Sequence, residues 1–112
     1  MAKNDYHVVV YQILSYLYQC LKNGIPVDEK CINNNNNYIS INEKYWKYII
    51  VNMMKQGLIE GILITHADND VIISCLEDAQ ITPRGIEFLC DNSFMEKAKQ
   101  FLKDIKEITP FI

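Results

Sequence analysis

Glycine, histidine and basic residues are all scarce in this chain, and each shortage closes off a class of function. Four glycines in 112 residues leave no glycine-rich loop of the kind whose backbone cradles phosphates. The two histidines, His7 and His66, stand far from any cysteine pair. The four cysteines, Cys20, Cys31, Cys75 and Cys90, include no C-x-x-C, so zinc-ligand spacing is missing. No apolar run approaches the ~18 residues that span a bilayer. No secretory leader is visible after Lys3, so the cysteines read as reduced, small apolar residues of a cytoplasmic protein. No nucleophile stands beside a base, and no carboxylates are paired for acid–base work. Asp68 and Asp70 lack the glycine and the late glutamate of a calcium loop. The expectation is a non-enzymatic protein with no metal, no cofactor and no membrane span.

What is present describes a single globular domain over residues 1–112. Hydrophobic residues make up 49% and charged residues 22%, enough apolar surface for one core without staples. The net charge is −3 and the pI about 5.3, which argues against a basic surface over the whole molecule. The charge is unevenly spread. Residues 1–57 carry six lysines against four acids (+2), and residues 58–112 carry five bases against ten acids (−5).

Periodicity places the elements. From Tyr6 to Asn23, Tyr6, Val10, Ile13, Leu14, Leu17, Cys20 and Leu21 recur at helical spacing, with Asn4 or Asp5 as cap and Gly24 and Pro26 as stop. Its opposite face carries Val8, Tyr11 and Tyr18, so a second partner is expected there: the chain's own last helix in a monomer, or a second copy in a homodimer. Asp28 to Ile32 suits a short helical turn, and the asparagine run 33–37 a solvated loop. Asn42 caps the next helix and Gly57 ends it; Trp46, Ile49, Ile50 and Met53 form its inner stripe. Lys44, Lys47, Tyr48, Val51 and Lys55 lie on the outer face. From Leu58 to Ile64 the period becomes two, as in a strand. Asp68, Asn69 and Asp70 make a turn, and Val71 to Ser74 a returning strand. A short strand at Ala79–Thr82 leads into a helix with Thr82 as cap and Pro83 first, its Ile86, Leu89 and Cys90 facing inward. Ser93-Phe94-Met95-Glu96 reads as a capping box opening a C-terminal amphipathic helix over 93–109, with Phe94, Ala98, Phe101, Leu102, Ile105 and Ile108 as its stripe.

Helix, short helix, helix, hairpin and further helices is the order of an α+β winged helix-turn-helix: a three-helix core with a β-hairpin wing, here followed by C-terminal helices. The chain resembles the YjcQ family. The resemblance lies in Asn42-Glu43-Lys44-Tyr45-Trp46 through Gly57-Leu58-Ile59-Glu60-Gly61-Ile62, in Gln80-Ile81-Thr82-Pro83-Arg84-Gly85-Ile86-Glu87, and in Ala98-Lys99-Gln100-Phe101-Leu102-Lys103-Asp104-Ile105-Lys106. It implies a small winged-helix protein of low-GC Gram-positive bacteria and their prophages, and carries no biochemical activity with it.

Two functions follow from the residues. In one, the third helix enters the major groove of double-stranded DNA: Lys44, Lys47 and Lys55 on phosphates or guanine edges, Tyr48 on a phosphate or base, Val51 on a thymine methyl. The wing opposes this, because no lysine or arginine stands between Lys55 and Arg84 while Glu60, Asp68, Asp70, Glu77 and Asp78 do, and phosphate neutralisation supplies most of the affinity. In the other, the scaffold docks a protein partner through the acidic wing or the Lys44/Tyr48 face.

Overall fold

The helix α1 (Tyr6–Asn23) forms the axis of the computed structural model, which describes residues 6–104. Ten of its eighteen residues are buried, because α2 (Glu43–Lys55), α3 (Pro83–Asp91), α4 (Ser93–Asp104) and a short strand all pack on it. The face shared by Val8, Tyr11 and Ser15 is covered by the chain itself. Val8 is 0% and Tyr11 6% exposed, so of the three candidate dimer contacts these two are closed to a second copy. Tyr18 keeps partial exposure at the rim of a groove shared with Leu89, Met95 and Lys99. Leu21, expected inside, is half exposed because the core ends with Leu17 and Cys20. The caps expected at Asn4 and Asp5 lie outside the described residues.

After α1 comes a single 3-10 turn, Glu29–Cys31, capped by Asp28, whose carboxylate accepts from the Lys30 N–H at 3.0 Å. This turn stands where a full second helix would be. The asparagine run is a loop, but a built one rather than a solvated connector. Asn36 Oδ1 accepts from the N–H groups of Tyr38 and Ile39, at 2.8 and 2.9 Å, and Asn34 Nδ2 donates to the Ile41 carbonyl at 3.2 Å. Short side-chain amides can substitute for backbone partners in this way. The loop is thereby folded tightly enough to bury Ile32 and Ile39. It is pinned from both sides, since Gln12 Nε2 donates to the Tyr38 carbonyl and Trp46 Nε1 to the Ile32 carbonyl, at 3.0 and 2.9 Å.

α2 presents Trp46, Ile49, Ile50 and Met53 to the core, each full burial contributing about 2 kcal/mol. Asn42 caps it by accepting from the Tyr45 N–H at 2.8 Å. Gly57, at φ +72°, closes it with a Schellman turn in which Leu58 N–H reaches the Met53 carbonyl and Gly57 N–H the Met54 carbonyl, both at 3.0 Å.

The expected strand from Leu58 to Ile64 is broken in two. Gly61 sits at φ +93°, and a Cβ there would collide with the backbone carbonyl of Asp78. The chain bends at this contact, so β1 (Ile59–Glu60) pairs with β4 (Gln80–Ile81), while β2 (Leu63–Ala67) pairs with β3 (Asp70–Ser74) to form the wing. A 3-10 turn, Leu76–Asp78, links the wing back to β4. Thr82 caps α3 as expected, accepting from the Gly85 N–H at 2.9 Å.

Two details of the C-terminal helices differ from expectation. Asn92, not Ser93, caps α4: its Oδ1 accepts from the Phe94 N–H at 2.8 Å, and its N–H closes α3 on the Phe88 carbonyl at 3.1 Å. Ala98 and Leu102 face inward as expected, but Met95 joins them, and Phe94 is left 46% exposed, stacked on His7 with centroids 4.3 Å apart. Cys90 is exposed, because α3 meets the core through Gly85 and the half-buried Ile86, Phe88 and Leu89. All four cysteines are free. Of the helix expected over 93–109, the part to Asp104 is helical; Ile105 and Ile108 lie outside the described residues. The architecture is that of a winged helix with two helices appended, its second helix reduced to one turn.

Candidate functional site

The inner stripe of α2 fixes what the helix shows on its other side. At about 100° per residue, Lys44, Tyr48, Val51 and Lys55 fall within an arc of about 60°, opposite the buried residues. Lys44, Tyr48 and Lys55 are exposed and Val51 is half-buried. The two lysines are eleven positions apart, about 16 Å along the axis. Tyr48, 54% exposed, is braced from below by the edge of Tyr6, with ring centroids 6.3 Å apart. Gln56 Nε2 in turn donates to the Tyr6 hydroxyl at 3.5 Å. Burial raises the Tyr6 pKa above that of a free tyrosine, partly offset by that hydrogen bond, so the phenol stays neutral and the brace uncharged.

Lys47 is placed differently from the other lysines. Its ammonium stands on the flank of α2, 3.2 Å from Glu43 and 3.4 Å from Asp70 of the wing. The Glu43 hydrogen bond, followed by the Asp70 charge, raises its pKa. The Asp70 carboxyl is lowered, first by the hydrogen bond it accepts from the Val71 N–H and then by Lys47. Lys47 was expected among the outward cations; here its charge is matched by two carboxylates. The wing tip makes this contact through its turn: Asp68 and Asn69, at φ +47° and +65°, form the two-residue type I′ loop that suits a twisted hairpin. Both are exposed at the tip.

The wing has a feature that its charges concealed. The register pairs Leu63 with Ser74, Thr65 with Ile72 and Ala67 with Asp70, so these six residues share one face, with Asp70 at its tip. Leu63 is 55% and Ile72 49% exposed. Strand alternation marked which residues share a face, but not which face would be left uncovered.

Arg84 is a further cation that sequence reasoning passed over. Its Cδ lies 3.7 Å from where a Cβ on Gly57 would be, at the C-terminal end of α2. Glu87 and Asp91 line the same open groove, with Gln56 and Phe88, so the local charge is mixed. Cys75, Glu77 and Asp78 bring donor atoms within 4.8 Å of one another. They are sequence neighbours gathered by one turn, and both carboxylates are exposed, an arrangement that acidic turns adopt without an ion.

No helix among the described residues is long and apolar enough to cross a membrane. A family model described as YjcQ protein matches residues 11–108. Neither a curated protein nor a solved structure matches the chain.

Proposed function

The chain belongs to the YjcQ family, and from that premise and the outward face of α2 we propose that it is a non-enzymatic, double-stranded-DNA-binding regulator. The observation that carries the reading is the row Lys44, Tyr48, Val51, Lys55 on a helix capped at both ends and anchored by four buried side chains. A rigid helix of this kind fits a major groove about 12 Å wide, its terminal lysines reaching phosphates on either side. Tyr48 then lies against a phosphate or base edge, and Val51 against a thymine methyl. The wing stays off the phosphates, since Asp68 and Asp70 stand at its end and Lys47 is already paired.

Two phosphate contacts per copy give a shallow salt dependence, a slope of about −2 in log K against log salt. A second copy on a palindromic site doubles it. The test is a titration of mixed-sequence duplex at several salt concentrations, with Lys44→Ala/Lys55→Ala as comparison. Retention that weakens with salt, and a slope close to zero in the double variant, support the reading. No binding at low salt overturns it.

A second reading has its own observation, the exposed wing pair Leu63 and Ile72, which shares its face with Asp70 at the tip. Aliphatic side chains left uncovered beside one another offer a protein partner apolar surface to bury. A protein partner seated there would be lost in Leu63→Ser/Ile72→Ser, which leaves the DNA titration unchanged.

A further inference from the structure

At the opposite end of α1 from Tyr48 the fold leaves a groove of about 320 Å³. Leu17 and Ala79 are buried beneath it, and Leu21 and Ile25 stand on its wall 48% and 55% exposed. These aliphatic side chains are held in place. Gly24, at φ +64°, and the Ile25 N–H bonded to the Cys20 carbonyl at 3.0 Å close α1 in a Schellman turn that sets the direction of Ile25. The facing wall is the 3-10 turn with Glu77 and Asp78, both exposed. That turn is anchored by buried Leu76 and by Gly61, whose missing Cβ lets the wing root pack on the Asp78 carbonyl. Among the described residues, no lysine, arginine or histidine lines the groove.

We propose that this groove docks a short cationic segment of a partner protein, with one aliphatic or aromatic side chain seated between Leu21 and Ile25 and a lysine or arginine facing Glu77 and Asp78. Charge complementarity selects this occupant. Nucleic acid and an anionic lipid surface are both repelled by the two carboxylates. A second copy meeting groove to groove brings no cation to Glu77 and Asp78, since none of the described residues lining the groove is basic. The site is also separate from the α2 row, because Cys20 lies fourteen residues, about 21 Å, along α1 from Tyr6, and Tyr6 is the residue that braces Tyr48. Partner and DNA therefore bind without competing, and the proposal stands whether or not α2 binds DNA.

The experiment is selection of a displayed random 12-residue peptide library on the whole chain, counter-selected on Glu77→Lys/Asp78→Lys. Enriched peptides are expected to combine two or more Lys or Arg with a Leu, Ile or Phe. A labelled synthetic peptide of that consensus should lose at least tenfold in affinity with Glu77→Lys/Asp78→Lys and with Leu21→Ser/Ile25→Ser, and none with Lys44→Ala. All four groove positions are exposed, and thermal melts confirm that each variant is folded. The proposal is overturned if nothing enriches, if the selected peptides are acidic, or if affinity ignores both groove variants. It is equally overturned if light scattering shows a dimer that Leu21→Ser/Ile25→Ser dissolves, which gives the face to a second copy.

Discussion

Lys47 Nζ lies 3.4 Å from Asp70 Oδ1, so a lysine of the outward helix is ion-paired to the wing of the same molecule. The pair spans twenty-three positions in sequence and joins two elements that share no backbone ladder. It takes one cation from the outward side of α2 and brings the acidic wing tip against that helix. Wing and helix thus form one surface on which, among the described residues, Lys44 and Lys55 are the cations left without a carboxylate partner.

Removing the wing carboxylate should return that cation. In Asp70→Asn, Lys47 retains Glu43 as a partner but loses its second one, and the surface becomes less negative by one charge. Duplex binding should tighten, and the salt slope should steepen by up to about 0.9, the value of one further phosphate contact. Thermal stability should barely move, because exposed ion pairs contribute little. A duplex titration of Asp70→Asn against the wild type reads both effects; an unchanged slope means that Lys47 stays with Glu43.

The same pair sets a pH signature. The Asp70 carboxyl titrates below its ordinary value of 3.8, so its contribution to the folded state is complete above about pH 4 and is lost as pH falls through the folded pKa. Lys47 titrates above its ordinary 10.5, so its contribution is complete below that pH and is lost as pH rises through the higher folded value. Carboxyl-carbon NMR should place Asp70 below 3.8. In Lys47→Ala the midpoint should rise only part of the way, because the Val71 N–H bond is the larger cause. A midpoint indifferent to Lys47→Ala would remove the ion pair from the account.

Asn92 makes a sharper test of how the last two helices are joined. Its side chain caps α4 while its backbone N–H closes α3, so Asn92→Ala should cost about 1 kcal/mol in urea unfolding. Ser93→Ala should stay within about 0.5 kcal/mol, as an exposed first-turn position does. Equal costs would show that Ser93 shares the cap.

The capping error shows where sequence patterns stop being informative. The C-terminal end of α1, the Asn42 and Thr82 caps, the inner stripe of α2 and the turn at Asp68–Asn69 all rest on contacts within a few residues, and periodicity finds those. Ser93 and Asn92 are both good caps, and Phe94 and Met95 lie on opposite edges of the stripe that Ala98 and Leu102 set. Packing against the rest of the fold, not spacing, puts Met95 in the core and leaves Phe94 outside it. Leu21 is exposed because a helical stripe continues past the point where its packing ends, and Cys90 because α3 meets the core through Gly85, Ile86, Phe88 and Leu89. Of the candidate site, Lys44, Tyr48, Val51 and Lys55 followed from spacing, whereas the pairing of Lys47 depends on a hairpin arriving from elsewhere in the chain.

Gly61 and Gly24 separate the two reasons for having glycine at a left-handed position. Both have positive φ, +93° and +64°. A Cβ on Gly24 meets nothing within 4 Å, while one on Gly61 strikes the Asp78 carbonyl. Gly24→Ala therefore incurs only the backbone penalty, about 1 kcal/mol. Gly61→Ala adds the displacement of a backbone that carries Glu77 and Asp78, and about 3 kcal/mol or more is expected. Urea midpoints with unchanged m-values measure the two costs. Because Gly61 also sets the bend between β1 and the wing, its variant should weaken the Lys47–Asp70 contact and move the Asp70 carboxyl resonance, and Gly24→Ala should do neither. Equal destabilisation by the two variants would mean that the wing root relaxes freely, and that the fold does not hold the wing against α2 through Gly61.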